Sequence, residues 1–271
     1  MDNRSIGVFD SGLGGLTTVK ELKELLPHEN IVYFGDTSRV PYGSRSRETI
    51  LKYARQDIRF LLTHDVKLII IACGTVSSIL TDQMAEEYTI PVIRVLGPAA
   101  QAACAANRGG GIGIIGTSAT VRSGAYGKAI RSIKPNARVV GKACPLFVPL
   151  VENGFIDRDN PVTKMVAEGY LQDLKNEELD TVILGCTHYP LLYPVISDIL
   201  GEDITLIDAG KETARFAAAS LKAMGLVSDR AEDGESSFYI SDQADDFTSI
   251  AERFLGGHIK DNVHIIDIEN Y

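Results

Sequence analysis

Two cysteines occupy matching places in the chain. Cys73 closes the apolar run Leu68-Ile69-Ile70-Ile71-Ala72 and precedes Gly74-Thr75, while Cys186 closes Thr181-Val182-Ile183-Leu184-Gly185 and precedes Thr187-His188. Either thiol taken singly fits a small buried hydrophobe. Two at equivalent strand ends carry a different meaning. If the halves that hold them face one another about a pseudo-twofold axis, the thiols flank a single cleft from opposite sides. Each is expected at a helix start, where partial positive charge lowers a thiol pKa from about 8.5. Opposed thiols suit proton transfer at a stereocentre. One thiolate takes a proton from one face, the thiol across the cleft delivers one to the other, and the reverse reaction exchanges the roles. Asp10 and His188 are candidates for handling protons or setting the local field. Thr75, Thr117, Thr120 and Thr187 offer hydroxyls and backbone N–H groups to a carboxylate and its developing carbanion, although each alone also fits a helix cap.

Other loops supply fewer clues. Asp10-Ser11-Gly12-Leu13-Gly14-Gly15 contains GxGG, neither the dinucleotide GxGxxG nor the phosphate-loop GxxxxGK[ST]. It is either an acidic turn with a cap or a place where backbone N–H groups at a helix start receive an anion. Pro41-Tyr42-Gly43-Ser44 follows the second expected strand and offers main-chain and hydroxyl contacts. Glu152 is an acidic group in an expected loop. Cys104 and Cys144 fit structural roles, with Cys144 near the second-half counterpart of the Pro41 loop. The four cysteines form no CxxC and the five histidines no HxH or HExxH, so no metal is expected.

The positions of these residues follow from alternating strands and helices. Strands are expected over 5–9, 31–34, 67–72, 92–95, 111–115, 138–141, 181–184, 204–207, 237–240 and 263–266. Helices are expected over 16–26, 47–63, 76–86, 123–133, 161–174, 191–200, 210–224 and 248–255. The pattern repeats. Residues 6–11 parallel 112–117 at an offset of 106, and 70–75 parallel 183–187 at an offset of 113. The expected fold class is α/β, with two similar open parallel-sheet αβα domains related by a pseudo-twofold axis and an active site in the cleft between them. Residues 1–96 with 209–271 are expected to form the first domain and 97–208 the second, with an Ala- and Gly-rich crossover near 96–111.

Composition narrows the function classes. The chain has 271 residues and a formal net charge of −9. Without a basic run of five, a non-specific nucleic-acid surface is disfavoured. No apolar stretch approaches 18 residues, so no membrane span is expected. The start Met1-Asp2-Asn3-Arg4-Ser5 has no signal-peptide character, and a cytoplasmic location is expected.

Taken together, these residues resemble the glutamate racemase family, within the cofactor-independent aspartate/glutamate racemases. The resemblance covers most of the chain. It is carried by Gly7-Val8-Phe9-Asp10-Ser11-Gly12-Leu13-Gly14-Gly15, Asp36-Thr37 with Pro41-Tyr42-Gly43, Cys73-Gly74-Thr75, Gly116-Thr117-Ser118-Ala119-Thr120, Cys144-Pro145-Leu146 and Gly185-Cys186-Thr187-His188-Tyr189-Pro190. It implies interconversion of L- and D-glutamate without a cofactor, supplying D-glutamate for peptidoglycan. It implies Cys73 and Cys186 as the acid/base pair, with Asp10 and His188 assisting and Glu152 in support. Ser11, Pro41, Tyr42, Gly43, Ser44, Gly74, Thr75, Thr117, Thr120 and Thr187 fall where family members contact the amino acid. A homodimer is also implied. One position departs from the pattern. The family usually has Asn after the first cysteine, and Gly74 removes that polar anchor, leaving its place to a backbone group or water. Two other readings stay open: a racemase of aspartate, hydantoins or another small acid, and a two-lobed module that binds a small anion without chemistry.

Overall fold

The computed structural model describes residues 1–242, 247–257 and 263–271. The chain starts with a strand–helix unit: β1 (Ser5–Asp10), α1 (Leu16–Leu25), β2 (Ile31–Gly35), α2 (Arg47–Leu62), β3 (Val66–Ile71), α3 (Gly74–Ile79), α4 (Asp82–Ala85) and β4 (Val92–Arg94). Helix α5 (Leu96–Ala106) then leads to a second unit. It comprises β5 (Gly111–Gly116), α6 (Ser118–Ser123), α7 (Ala125–Ile133), β6 (Val139–Ala143), α8 (Phe147–Glu152), α9 (Pro161–Lys175), β7 (Leu179–Leu184), α10 (Tyr193–Leu200) and β8 (Thr205–Asp208). After α11 (Ala209–Met224) come β9 (Ser236–Ile240), α12 (Phe247–Leu255) and β10 (Val263–Ile265).

Two parallel sheets result, in the orders β10-β9-β2-β1-β3-β4 and β6-β5-β7-β8. The inner order β2-β1-β3-β4 is thus repeated as β6-β5-β7-β8. The repeat extends to detail: β1 and β3 shift register between Ser5 and Ile6, and β5 and β7 between Gly111 and Ile112. Central strands covered on both faces need continuous apolar runs. Accordingly Ile6, Val8, Phe9 and Leu68 to Ile71 are fully buried, as are Ile112, Ile115 and Val182 to Leu184. Helix α1 turns Leu16, Val19 and Leu22 onto this core. Helix α11, capped by the Asp208 carboxylate on the Gly210 and Lys211 N–H groups, leaves the second sheet and packs on α1 and α5. One apolar cluster therefore runs from Ile6 and Leu16 to Leu184 and Leu221. Burying each such side chain stabilises the fold by about 1.5–3 kcal/mol.

Several local expectations need correction. The stretch 96–111 is not a bare crossover, because Leu96 to Ala106 is helical. Its alanines fit between the second sheet and α11, where larger residues would force the layers apart. The helix expected over 76–86 is two. Leu80 is extended and the Thr81 hydroxyl caps α4 by accepting from the Met84 N–H at 3.3 Å. Helix α6 is not among the expected helices, and Gly124, at φ 64°, sets the start of the helix expected over 123–133 at Ala125. Glu152 ends helix α8 instead of lying in a loop.

Candidate active site

Cys73 and Cys186 lie just past the carboxyl ends of β3 and β7, where open parallel sheets place ligand crevices. Both line one cleft of about 600 Å3. Their surroundings differ. Cys73 is the N-cap residue of α3 and its thiol donates to the Ser11 hydroxyl at 3.4 Å. Cys186 is followed by a 3₁₀ turn, and α10 begins only at Tyr193. The expectation of two helix starts therefore holds for Cys73 alone. Even there the expected lowering is reversed. Burial, followed by the neighbouring Asp10 carboxylate, pushes the Cys73 thiol up to about 12, outweighing the Ser11 hydroxyl and the Val76 N–H. Such surroundings favour the neutral thiol at pH 7.

On the opposite side, Cys186 Sγ lies 3.8 Å from His188 Nδ1, and His188 Nε2 lies 3.0 Å from Glu152 Oε1. Burial alone would lower the His188 pKa. The hydrogen bonds to Cys186 and Glu152 and the charges behind them more than offset it, raising the group to about 10. An imidazolium therefore stands beside Cys186 at neutral pH. Helix α12 supports this corner from behind. Phe254 meets the His188 ring edge-on at 5.2 Å, and Arg253 donates to the Val151 and Glu152 carbonyls, each at 3.2 Å.

Asp10 does not line the cleft but is buried beneath it at the end of β1. Its Oδ2 accepts from the Gly12 N–H at 3.1 Å, and Oδ1 has no hydrogen-bond partner among the described residues. Burial raises its pKa, against the pull of His188 and three backbone N–H groups. Across the cleft, the Thr75 and Thr117 hydroxyls are 2.9 Å apart, and Thr117 is 3.0 Å from the Thr120 hydroxyl. Thr120 itself is only 2% exposed and lies behind Thr117, off the cleft wall. Ser11, Pro41, Tyr42, Gly43, Ser44, Gly74, Thr75, Thr117, Glu152, Thr187 and His188 do line it.

The Pro41 loop rests on a buried polar network in which only Asp36 and Tyr42 belong to the motifs quoted above. The Tyr42 hydroxyl donates to Asp36 and, at 3.2 Å, to Asp57. Arg39 donates to Asp36 at 2.6 Å, to Gln56 at 2.7 Å and to Asp57 at 3.2 Å, and its guanidinium covers Tyr53 at 4.0 Å. Each buried charge thus has a partner, the condition under which burial is tolerated. Arg122, Val148 and Pro149 also line the cleft without having been singled out, as does Pro145 of the motif Cys144-Pro145-Leu146. Their signal is helical spacing, Ser118 to Arg122 and Val148 to Glu152, which is legible only once α6 and α8 are in place.

Two glycines mark where the halves touch. A Cβ on Gly74 would lie 2.2 Å from the Gly185 carbonyl oxygen, so this position has no room for the side-chain anchor that usually stands there. A Cβ on Gly14 would lie 2.1 Å from Thr187 Oγ1 and 2.6 Å from His188 Nδ1. The Thr17 hydroxyl, at 3.2 Å from the Thr187 carbonyl, joins the same seam. Among the described residues no group of three His, Cys, Asp or Glu side chains could hold a metal ion, and no helix is long and apolar enough to cross a membrane.

Comparison with known proteins agrees with this geometry. A family model described as Asp/Glu/Hydantoin racemase matches residues 8–217. The chain is 44% identical over 266 residues to a glutamate racemase of Geobacter metallireducens, covering 98% of this chain and 97% of that one. It is 48% identical over 257 residues to a glutamate racemase of Chlorobaculum tepidum, covering 94% of each. Among solved structures, glutamate racemase from Francisella tularensis in complex with D-glutamate is similar with a TM-score of 0.92 and 39% identity, over 100% of both chains.

Proposed function

Because the chain belongs to the Asp/Glu/hydantoin racemase family and racemises glutamate without a cofactor, we propose that Cys73 and Cys186 exchange the amino acid's Cα proton between its two faces. The observation that carries this reading is the presence of both thiols on one cleft, at equivalent strand ends of a repeated unit. In one direction the Cys73 thiolate takes the Cα proton: the Cα–H bond breaks and an S–H bond forms. The Cys186 thiol then delivers its proton to the opposite face, leaving a thiolate. The reverse reaction exchanges the two roles.

Cys73 needs help to ionise, since burial and the Asp10 carboxylate push its pKa up to about 12. The substrate's α-ammonium group supplies a positive charge close to the Cα, which favours the thiolate. Asp10, one of whose carboxylate oxygens has no hydrogen-bond partner among the described residues, is the proton-handling partner on that side. His188, kept charged by Glu152, is the partner of Cys186. The hydroxyls of Ser11, Ser44, Thr75, Thr117 and Thr187, with backbone N–H groups of Gly43 and Gly74, hold the carboxylates and stabilise the carbanion. Pro41 and Tyr42 shape the wall. Thr120 acts through Thr117. We further assign the protein to a cytoplasmic homodimer that supplies D-glutamate to peptidoglycan synthesis, on the strength of the family resemblance.

Proton NMR in D2O with L-glutamate and then D-glutamate, with no cofactor added and circular dichroism following the enantiomer, tests the reading. Loss of the Cα–H signal with decay of optical activity is the expected result. Exchange on another small acid in place of glutamate would overturn the substrate. Tight binding without any exchange would select a binding module instead.

A further inference from the structure

A second cavity of about 670 Å3 adjoins the thiol cleft, and Arg122 lines both. The wall between them is made of chain segments that turn neighbouring residues to opposite sides. Ser44 and Ser118 face the cleft, while Arg45 and Ala119 face the neighbouring cavity. Among the described residues, five cations line that cavity, Arg45, Arg47, Arg94, Arg122 and Lys128, against a single acid, Asp82. Arg94 is occupied: it donates to the Ser77 and Leu80 carbonyls at 2.9 and 2.6 Å and pairs with Asp82. The other four make no ion pair and no side-chain hydrogen bond among the described residues. Gathering four uncompensated cations is unexpected in a chain of net charge −9. Such a patch focuses a local positive field and raises the nearby concentration of anions.

We propose that this cavity is a vestibule for the anionic amino acid, and that Arg122 is the recognition residue that passes a carboxylate from it into the cleft. The proposal rests on the glutamate reading above, since glutamate brings two carboxylates against one ammonium group. Among the described residues, Arg122 is the only arginine or lysine lining the cleft. Its planar fork can hold a carboxylate through two parallel hydrogen bonds. Because α6 also carries Ser118 and the hydroxyl of its cap residue Thr117 into the cleft, a carboxylate leaving Arg122 meets hydroxyl donors within one helical turn. The field acts over the Debye length of about 8 Å at physiological salt, so delivery is sensitive to ionic strength.

Steady-state kinetics of the full-length protein with both enantiomers, from low to high ionic strength, tests this with Arg122→Gln, with the double variant Arg45→Gln and Arg47→Gln, and with Lys222→Gln. Lys222 is exposed at the end of α11 and lines neither cavity, so it controls for the loss of one charge. At low salt Arg122→Gln is expected to lower kcat/KM about fivefold, through KM, with kcat nearly unchanged and a flatter salt dependence. The double variant flattens the salt dependence too. An Arg122→Gln enzyme that tracks Lys222→Gln at every salt concentration overturns the vestibule. So does a fall in kcat at constant KM, which would put Arg122 in the chemistry and not in delivery. A wild-type protein inert on glutamate overturns the substrate reading first and this inference with it.

Discussion

Between β1 and β3 of the first lobe, and between β5 and β7 of the second, the strand order and even the register shift coincide, yet the two thiols set on these frames have unlike neighbours. Cys73 caps a short helix and faces a hydroxyl and a buried carboxyl, so its environment favours the neutral thiol. Cys186 faces an imidazolium tied to a glutamate, a cation where Cys73 has a buried carboxyl. The repeated scaffold brings both thiols to one cleft, and local side chains surround them with unlike charges. Thermodynamics limits what the difference can do. Two enantiomers of equal free energy require equal kcat/KM in both directions, however unequal the thiols are. The asymmetry can therefore appear only in kcat and KM separately, or in hydrogen exchange without inversion.

Removing either thiol breaks the comparison most sharply. Cys73→Ala and Cys186→Ala should each lower racemisation by about 10³-fold or more, since neither face can be served by the other's base. Both sites are small and buried, and the fold should persist with a loss of about 1 kcal/mol. The diagnostic measurement is deuterium incorporation at Cα from each pure enantiomer. Each variant should exchange one enantiomer with retention, and the two variants should select opposite ones. Near-normal racemisation by either variant would sink the two-base assignment.

His188→Asn comes next, with an expected loss of about 10²-fold in kcat from removing a positioned proton donor. It also carries a pH signature. The His188 pKa is raised from 6.5 to about 10, so its contribution to stability is complete below pH 6.5 and is lost as pH rises toward 10. Urea denaturation across that window should show wild-type stability falling more steeply than that of His188→Asn. Parallel slopes would mean that the imidazole is neutral in the folded protein, and the contrast between the two thiols would lose its cause.

How much of this was legible in the sequence follows from how local each feature is. The apolar runs ending at Cys73 and Cys186 announce the strands, and their repetition announces two matching units, because central parallel strands need unbroken apolar sequence. Helix α5 was hidden for the opposite reason. Packed between a sheet and α11, it is rich in alanine and lacks the polar stripe by which surface helices are recognised. The network under Tyr42 draws Asp36, Arg39, Gln56 and Asp57 from two elements, and no spacing rule links them. Gly74 was visible as a departure, but its cause lies at Gly185, in the other half of the chain.

Gly74→Ala sharpens the comparison at that seam. The added methyl would meet a backbone oxygen at 2.2 Å, and backbone cannot rotate away as a side chain can. Either the lobes separate or α3 shifts, and both change the gap that the proton must cross. An overpacking cost of about 1–3 kcal/mol and a kcat loss of about tenfold are expected. Gly97→Ala, where nothing lies within 4 Å of the new methyl, should leave both nearly unchanged. Equal behaviour of the two variants, by thermal melts and kinetics, would remove the seam from the mechanism.

The smallest expected effect tests whether the hydroxyl chain of the second lobe acts in series. Thr117 accepts from the Thr120 N–H at 3.2 Å and shares hydrogen bonds with both Thr75 and Thr120, so its proton direction depends on its partners. Thr120→Val keeps the shape and removes only the hydroxyl that lies 3.0 Å from Thr117. Because Thr120 lies off the cleft wall, the loss reaches substrate only through the orientation of Thr117. One neutral hydrogen bond is worth about 0.5–1.5 kcal/mol, which corresponds to an increase of about twofold to tenfold in KM with kcat preserved. Thr117→Val should cost more, since it removes the hydroxyl on the cleft itself. The double variant should then be no worse than Thr117→Val alone, because Thr120 would have nothing left to orient. Additive losses would show that the two hydroxyls act independently, and that the second lobe presents two contacts where the geometry supports one contact and its support.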